Sequence, residues 1–596
     1  MGQNSALHEA LAACGRGDWP RVERLCRQVL AAQPRSFEAL YLLGVAAGQA
    51  GRAAEAADFL ERAIAVNPAH PDAHFNRGVA LASLGRHEEA AESYARVMSL
   101  APRHADACFN RGVSLAAAGR HGEALASYDA ALRLAPSNPE AHHNRGVALA
   151  RMGRHEEALA SYDAALRVRP NAPSVHNSRG VALAALDRHG EALAAYAAAI
   201  SIRPDFTAAH CNLAIALLEC DRPAESLEAC ERAIALQPGN AEAWFNRGNA
   251  LRELNRHEQA IASYERAIAL DPAHASAHWN LADCLLLTGS FQRGWQEYEW
   301  RWKLPARQAA RRDFPQPLWL GQEPLGGRTI LLHAELGLGD TLQFCRYVPL
   351  LAARGARVVL EVQPPLVPLL AKLEGAHQVI ARGASLPAFD CHCPIMSLPL
   401  AFRTDALDVP ANIPYIACDP ARVDRWRERL GPRARPRVGL VWSGSRGLRN
   451  DKRSMTLRQA LPMLDPAFEW VSLQREVAAE DSALLERHPE VRHFGSDLID
   501  FAETAALASL LDLVVTVDTS VAHLAGALGK PLWILLPLNQ HDWRWQLQRE
   551  DSPWYPQAWL VRQQGAGDWS GVVAGVAAAL RPHFASPRTG ADAPGL

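Results

Sequence analysis

A glycine-rich loop in the second half of the chain places an acidic residue at the start of a predicted helix. Gly337, Gly339 and Asp340 follow an apolar run within the segment HAELGLGDTLQF. The glycines permit a tight turn, and Asp340 becomes the first side chain of the following helix. Asp is also a common N-terminal helix cap, so this loop alone does not separate catalysis from capping.

A second loop combines hydroxyl groups, bare backbone and positive charge. The segment WSGSRGLRNDKRS carries Ser443, Gly444 and Lys452, with Arg453 and Ser454 directly after them. Backbone N–H groups and cations in one loop can hold an anionic group such as a phosphate. The alternative interpretation is a solvated basic loop.

A third loop leads from an apolar run into a helix. In VDTSVAHLAGALGKP, the residues Asp518, Thr519 and Ser520 stand at this junction. The first-turn N–H groups and the helix dipole at such a position favour a diphosphate. The alternative is a simple Asp or Thr cap on a structural helix.

The loops require strands that end beside one another. Apolar, β-branched runs predict strands at residues 328–333, 356–362, 437–443, 468–473, 512–517 and 531–536. Runs that are apolar throughout suit parallel strands buried on both faces, and ligands bind beyond the carboxyl ends of such strands. We therefore predict an α/β region in which the three loops meet.

This α/β region divides into two predicted lobes. The predicted segments are a linker at 309–327, a first doubly wound lobe at 328–420, a helix and linker at 421–435, a second lobe at 436–583, and a disordered tail at 584–596.

The first half of the chain repeats with a fixed period. Prolines recur every 34 residues from Pro34 to Pro272, and small residues keep the same step from Gly44 to Ala282. This pattern resembles the tetratricopeptide repeat family, in which each unit is a helix–turn–helix. The resemblance implies an all-α superhelix of about eight to nine units over residues 1–308.

A row of asparagines follows the same period. The members are Asn76, Asn110, Asn144, Asn212, Asn246 and Asn280. A carboxamide both donates and accepts hydrogen bonds, so such a row can hold a peptide backbone whatever its side chains. The row looks like the asparagine ladder of the nucleocytoplasmic O-linked N-acetylglucosamine transferases, which implies acceptor polypeptide binding. The alternative is a consensus residue that merely tolerates solvent.

A row of histidines also follows the period. His87, His121, His155, His189 and His257 follow the turn between two helices. One repeat separates each from the next, whereas metal ligands must lie a few ångströms apart. We predict that these histidines are turn and helix-start residues.

Taken together, the loops of the second half resemble the heptosyltransferase-like glycosyltransferases (glycosyltransferase family 9). The matching segments are GLGD (337–340), VWSGS (441–445), SLQ (472–474) and DTSVAHLAGALGKP (518–531). The resemblance implies two facing Rossmann-like lobes of the GT-B type, with a nucleotide-sugar bound between them. The chain departs from that family at Ser520 to Ala522, and Leu336 replaces a glutamine usual in the related subgroup with repeats.

The resemblance also implies roles for individual residues. Asp340 corresponds to the general base of an inverting transfer. Ser443, Lys452, Thr519, Ser520 and the backbone after Asp518 would hold the diphosphate without a metal or other cofactor. Gly444, Gln474 and His523 complete the expected nucleotide-sugar site, although an ordinary core or cap role stays open for Gln474 and His523.

Composition excludes several other classes of protein. The 596 residues carry 62 basic and 64 acidic side chains, so no nucleic-acid footprint is indicated. No apolar run approaches the roughly 20 residues that span a bilayer, and eleven scattered cysteines fit a reducing compartment. We expect a cytoplasmic protein.

Three functions fit these features. The first is a glycosyltransferase whose repeats select a polypeptide or glycan acceptor. The second is a non-catalytic repeat scaffold with a degenerate transferase-like platform. In the third, the repeats only oligomerise or place an enzyme that acts on a small saccharide.

Overall fold

The computed structural model describes residues 2–444, 452–538 and 542–585. The chain divides into two compact units, Met1–Asn246 and Arg247–Leu596. Among the described residues, no helix combines the length and the apolar character needed to cross a membrane.

The first unit consists of antiparallel helix pairs, as the period of 34 predicts. Its helices are α1 (Gly2–Gly15), α2 (Trp19–Ala32), α3 (Phe37–Gln49), α4 (Ala53–Val66), α5 (Pro71–Ser83), α6 (His87–Leu100), α7 (Ala105–Ala117), α8 (His121–Leu134), α9 (Pro139–Arg151), α10 (His155–Val168), α11 (Pro173–Ala185), α12 (His189–Ile202), α13 (Thr207–Glu219) and α14 (Pro223–Leu236). The histidine row stands at helix starts, as predicted. Each odd-numbered helix is the first of its repeat, and each even-numbered helix is the second.

Two local features of the repeat explain the sequence pattern. A Cβ atom at Gly78 would lie 2.7 Å from the ring of Tyr94, so the first helix needs a small residue where the second presents its aromatic ring. The turn between the two helices needs a left-handed residue. Gly85 has φ of 73° there, and Asp187 takes the same role with φ of 60°.

The second unit begins with helices that continue the repeat. They are α15 (Ala241–Glu253), which contains the division between the units, α16 (His257–Leu270), α17 (Ala275–Leu287), α18 (Phe291–Tyr298), a 3-10 helix (Glu299–Lys303) and α19 (Pro305–Gln308). The period ends near the predicted residue 308, but these helices share a core with the α/β region. Leu286, Trp295 and Tyr298 pack in one buried cluster with Ile330 and Leu332.

The first sheet has four parallel strands in the order β3-β2-β1-β4. They are β1 (Thr329–His333), β2 (Arg357–Val362), β3 (Ala376–Ala381) and β4 (Cys391–Pro394), with helices α20 (Leu338–Phe344), α21 (Val348–Ala353), α22 (Val367–Leu370) and α23 (Leu398–Phe402). The predicted linker at 309–327 packs on this sheet, where the Trp319 amide donates to the His392 carbonyl at 2.8 Å.

The second sheet has six parallel strands in the order β10-β9-β8-β5-β6-β7. They are β5 (Arg437–Val441), β6 (Glu469–Ser472), β7 (Val491–His493), β8 (Leu513–Val517), β9 (Leu532–Leu536) and β10 (Ala558–Arg562). Helix α24 (Pro420–Leu430) precedes it, and α25 (Leu457–Ala460), α26 (Ala479–Leu485), α27 (Phe501–Ser509), α28 (Ser520–Ala527) and α29 (Ser570–Ala585) follow along the chain.

The end of α29 corrects the predicted tail. The helix continues to Ala585, so residues 584 and 585 are helical and not part of a disordered segment. Residues 586–596 of the predicted tail lie outside the described residues.

Candidate functional site

A cavity of about 460 Å³ lies where the loops after several strands meet in the second unit. Its lining includes Gly337 to Asp340 after β1, Ser443 and Gly444 after β5, Gln474 after β6, and Asp518 to Val521 after β8. These positions are the carboxyl ends of parallel strands, where ligands bind in open α/β sheets. Loops that follow strands of both sheets therefore line one cavity.

Gly339 is the point of contact between the first and third loops. A Cβ atom at this position would lie 2.6 Å from Cδ2 of His523 and 3.4 Å from Cα of Ser520. Because no side chain fits there, α20 can approach the first turn of α28. Gly337 stabilises the start of α20 by a hydrogen bond, because its amide donates to Oδ2 of Asp340 at 2.8 Å.

Asp340 forms an ion pair with Arg544, a residue that the sequence interpretation did not select. The Arg544 guanidinium donates to Oδ1 of Asp340, to both oxygens of Asp542 at 3.0 Å, and to Gln343 at 2.5 Å. Burial opposes the charged form of Arg544, but the Asp542 and Asp340 carboxylates outweigh it and raise the pKa of the guanidinium. Asp340 is therefore a helix cap and an ion-pair partner as well as a cavity residue.

The N-terminus of α28 presents Thr519 and Ser520 to the cavity. The Thr519 hydroxyl lies 3.1 Å from that of Thr516, and Asp518 is buried with its Oδ2 3.8 Å from Nη1 of Arg453. This carboxylate would repel a phosphate, so its contact with Arg453 suits a role in holding that cation. The partial positive charge of the helix end is directed at the cavity.

Gln474 holds the second loop through its carboxamide. Nε2 donates to the Ser443 carbonyl at 3.0 Å and to the Glu476 carbonyl at 3.1 Å, while the Ser443 amide donates to Oε1 at 3.3 Å. Gly444 is fixed similarly, since its amide donates to Oγ of Ser454 at 2.9 Å. Both amide hydrogens of Gln474 are occupied by main-chain carbonyls, which favours a positioning role.

The predicted cation Lys452 is not among the described residues that line the cavity. Its neighbour Arg453 lines the cavity instead, together with Arg475 after β6. The side chain of Lys452 is exposed. The sequence indicated a basic loop correctly but not which of its cations faces inward. Residues 445–451 of that loop lie outside the described residues.

His523 lies behind the first turn of α28. Its Nδ1 is 3.0 Å from the Tyr555 hydroxyl, and its ring stacks on Trp545 with centroids 5.6 Å apart. Burial, with the nearby charges of Arg544 and Arg346, holds the pKa of His523 well below its usual range. The imidazole is therefore neutral at physiological pH.

Three tryptophans of the second unit are packing residues. Trp442 is buried in a core cluster with Trp470, and its indole N–H donates to Asp481 at 2.9 Å. Trp543 and Trp554 pack against Trp295 of α18, with centroids 5.0 and 6.4 Å away. This contact ties the last repeat to the segment that carries Arg544.

The predicted asparagine row is only partly available for ligands. Asn76 donates to the Tyr41 hydroxyl at 3.2 Å, Asn212 to Asn177 at 3.0 Å, and Asn280 to Asn249 at 2.8 Å. Asn246 is buried. Within the described part of the chain, the carboxamides of Asn110 and Asn144 form no hydrogen bond.

Metal ligation was not expected from the sequence. Among residues 2–444, 452–538 and 542–585, no group of three or more His, Cys, Asp and Glu side chains is arranged to hold a metal ion.

Profiles of known families match the helical repeats and one segment of the α/β region. Tetratricopeptide repeat profiles match residues 7–65, 59–102, 143–205, 207–232 and 229–262, and a TPR repeat profile matches 114–153 and 248–289. The profile of Glycosyltransferase family 9 (heptosyltransferase) matches residues 498–536, from α27 through α28 to β9. The first half of the chain is therefore similar to tetratricopeptide repeat proteins, and residues 498–536 are similar to glycosyltransferase family 9 (heptosyltransferase).

One curated protein is similar to about half of this chain. Protein FlbA of Caulobacter vibrioides is 31% identical over 332 residues, which cover 51% of this chain and 55% of that protein. The match thus spans about half the length of the relative.

Solved repeat structures are similar over shorter stretches. The MamA protein is 22% identical with a TM-score of 0.28, covering 29% of this chain and 94% of that chain. YrrB, a TPR protein with an unusual peptide-binding site, is 24% identical with a TM-score of 0.28, covering 31% and 96%. A tetratricopeptide repeat protein from Parabacteroides merdae is 18% identical with a TM-score of 0.35, covering 41% and 97%.

Proposed function

We propose that this protein is an inverting glycosyltransferase that transfers a sugar from a nucleoside-diphosphate sugar to an acceptor selected by the repeats. In this proposal the two sheets are the lobes of a GT-B fold. One observation carries it: Asp340 after β1 and the N-terminus of α28 after β8 line the same cavity. A candidate base thus lies beside a candidate anion site.

The donor diphosphate would bind at the second sheet. The first turn of α28, the hydroxyls of Thr519 and Ser520, and the cations Arg453 and Arg475 would stabilise the negative charge that develops as the diphosphate leaves. Arg453 takes the role expected of Lys452. Ser443, Gly444 and Gln474 would shape the neighbouring wall, and His523 would support α28 from behind.

The acceptor would approach from the first sheet. Its oxygen or nitrogen attacks the anomeric carbon, its proton passes to Asp340, and the bond from that carbon to the diphosphate oxygen breaks, which inverts the anomeric configuration. Asp340 is paired with Arg544 in the free protein. We propose that the negative charge of the donor diphosphate attracts the Arg544 guanidinium and weakens its pair with Asp340. The Asp340 carboxylate can then accept the proton.

The repeats would supply acceptor selection. The free carboxamides of Asn110 and Asn144 support polypeptide as the acceptor class, because such groups can bind backbone N–H and C=O groups. We also propose a cytoplasmic location, since none of the eleven cysteines, all within the described residues, forms a disulfide and such thiols suit a reducing compartment.

The test is thermal stabilisation of the full chain by a panel of UDP-, GDP-, ADP- and dTDP-sugars. A ligand that binds only the folded state raises the melting temperature by mass action, and 100 Kd of ligand adds about 2.7 kcal/mol. We expect one nucleotide class to raise it. If none does so at millimolar concentration, the donor site is refuted and the non-catalytic scaffold is favoured.

A further inference from the structure

We propose that Gln363 is a positioning residue, which holds the Asp340 segment (residues 335–341) so that the Asp340 carboxylate faces the cavity. The proposal rests on the proposed function for the reaction itself, whereas the geometry of the segment can be tested without it. Gln363 is not among the described residues that line the cavity, so its effect on the reaction would pass through this segment.

The backbone of Gln363 is fixed by its place in the sequence. β2 ends at Val362, and Pro364 and Pro365 follow Gln363. A residue before proline is confined to extended conformations, and Gln363 has φ of −59° and ψ of 141°. Because β2 pairs in parallel with β1, the end of β2 lies beside the loop that follows β1. The carboxamide therefore reaches the Asp340 segment from a fixed backbone position.

The Gln363 carboxamide uses both its donors and its acceptor on the Asp340 segment. Nε2 donates to the Leu336 carbonyl at 2.9 Å and to the Gly337 carbonyl at 3.2 Å. Oε1 accepts from the Thr341 hydroxyl at 2.9 Å. One side chain thus holds the segment both before and after Asp340.

A single peptide group links Gln363 to the carboxylate of Asp340. The Leu336 carbonyl, which accepts from Gln363, and the Gly337 amide belong to the same trans peptide. That amide donates to Oδ2 of Asp340 at 2.8 Å. The peptide is planar, with its C=O and N–H pointing in opposite directions, so a fixed oxygen also fixes the direction of the N–H. Polarisation along such a chain strengthens the second hydrogen bond.

The start of the segment is held separately, by the helices that continue the repeat. Arg301 donates to both carboxylate oxygens of Glu335, at 2.9 and 3.0 Å, and Glu335 also accepts the Met396 amide at 3.2 Å. Arg301 thus holds the first side chain of the segment, whereas Gln363 holds the peptide that bonds Asp340.

The second sheet has a similar arrangement. Gln474 follows β6, which pairs in parallel with β5, and its Nε2 donates to the Ser443 carbonyl in the loop after β5 at 3.0 Å. In each sheet, a glutamine beyond one strand therefore holds the cavity loop beyond the neighbouring strand. Gln474 lines the cavity itself, so Gln363 offers the cleaner test of positioning without ligand contact.

The test compares Gln363→Leu with the unaltered full chain. The probe is whichever of the UDP-, GDP-, ADP- and dTDP-sugars stabilises the chain most, and the measured rate is release of its nucleoside diphosphate with water as acceptor. We expect kcat to fall about tenfold or more, since a small misplacement of a reacting group costs up to about 100-fold. The KM for the donor and the donor-induced rise in melting temperature should stay unchanged, because the proposed donor site lies on the second sheet.

The matched control is Gln459→Leu. Its carboxamide caps α25, where Oε1 accepts the Thr456 amide at 2.8 Å, and Gln459 is not among the described residues that line the cavity. This variant should leave kcat unchanged. An equal fall of kcat in both variants, or a loss of donor stabilisation in Gln363→Leu alone, would mean a general structural role and would overturn the proposal.

A double variant separates positioning from an independent contribution. In the Asp340→Asn background, Gln363→Leu should lower kcat no further, because residues that act as one unit give non-additive losses. Gln363→Glu keeps the acceptor for Thr341 but has no N–H for the two carbonyls, so it should reproduce the loss even if Gln363→Leu fails to fold. A full additional loss in the Asp340→Asn background, or wild-type kcat in Gln363→Glu, would contradict the positioning role.

Hydrogen exchange makes the outcome separable from that of the proposed function. The Gly337 amide is bonded to Asp340, so a peptide covering residues 335–341 should exchange faster in Gln363→Leu than in Gln459→Leu, whether or not a nucleotide-sugar binds. Unchanged exchange of this peptide would overturn the proposal. Faster exchange in a chain that binds no nucleotide-sugar supports the hold on the segment and refutes only the transferase.

Discussion

The carboxylate of Asp340 and the guanidinium of Arg544 form an ion pair across 204 positions of sequence, between the loop after β1 and the segment between β9 and β10. The pair joins the two sheets at the candidate site. Arg544 also holds Asp542, so one buried cation serves two carboxylates on the cavity wall. Any role of Asp340 in catalysis therefore depends on Arg544.

Asp340→Asn tests the proposed base. The amide keeps the size of the side chain and can still accept the Gly337 N–H, but it cannot take a proton. General base catalysis contributes roughly 10²–10⁴-fold, so transfer should fall by at least about 100-fold while the nucleotide-induced rise in melting temperature persists. Undiminished transfer would remove Asp340 from the mechanism.

Arg544→Met tests the ion pair. The substitution leaves Asp340 and Asp542 without their cation, and breaking a buried pair costs about 3–5 kcal/mol. Because both carboxylates are partly exposed, we expect the free energy of unfolding to fall by an amount near the lower end of that range. Denaturant unfolding measures this loss. Arg549→Met is the matched control, since its pair with Asp551 is exposed and should contribute about 1 kcal/mol or less. Similar losses in both variants would contradict this account.

Gly339→Ala tests the close approach of α20 and α28. The added Cβ would lie 2.6 Å from the His523 ring, so one of the two helices must move. We expect a lower melting temperature and weaker nucleotide stabilisation. Gly326→Ala is the control, because its Cβ would meet open space. A variant at position 339 as stable as that control would show that the contact is not tight.

Arg301→Met tests the link between the last repeat and the α/β region. Arg301 is fully buried and bonds Glu335 at 2.9 and 3.0 Å and Ser397 at 2.7 Å. Loss of this cation leaves Glu335 buried without its partner, so unfolding should occur at clearly lower denaturant concentration. Arg311→Met, at an exposed position, should be near neutral. No difference between the two would refute the link.

The pH dependence of stability tests the state of His333. Burial, with the neighbouring charges of His392 and Arg312, lowers the pKa of His333 to about 3. Its usual value is about 6.5. The unfolded chain therefore binds more protons than the folded protein between those values. The contribution of His333 is fully present above pH 6.5 and is lost as pH falls toward 3.

For one such group, the free energy of unfolding should change by about 1.4 kcal/mol per pH unit in this range. His333→Gln should flatten the loss of unfolding free energy between pH 6 and 5 by about that amount. His377→Gln, at an exposed position, should leave the slope unchanged. An unaltered slope in the His333 variant would mean that this imidazole is charged in the folded protein.

The strands show how far local pattern predicts this fold. The six predicted strands all occur, because buried parallel strands are continuous apolar runs. The strands β3, β4, β7 and β10 were missed. β3 has only one fully buried residue, β4 ends in a proline after only three residues, and β7 has three residues, so these three strands carry no strong apolar signal.

The site shows a different limit. Gly337, Asp340, Thr519 and Ser520 were predicted because strand ends place them there whatever their neighbours. Arg544 was not selected. Its partners come from distant sequence, and no local pattern indicates which acid an arginine will meet.

The sequence alone determined the repeat period, the change to α/β structure, and the loops beyond the carboxyl ends of the strands, because each follows from the pattern along the chain. The tertiary structure decided which groups are free to act. It paired Asp340 with Arg544, directed Arg453 inward in place of Lys452, and left the half-buried carboxamides of Asn110 and Asn144 without hydrogen bonds among the described residues. These outcomes depend on packing between segments far apart in sequence, where small differences in distance decide which polar groups satisfy each other.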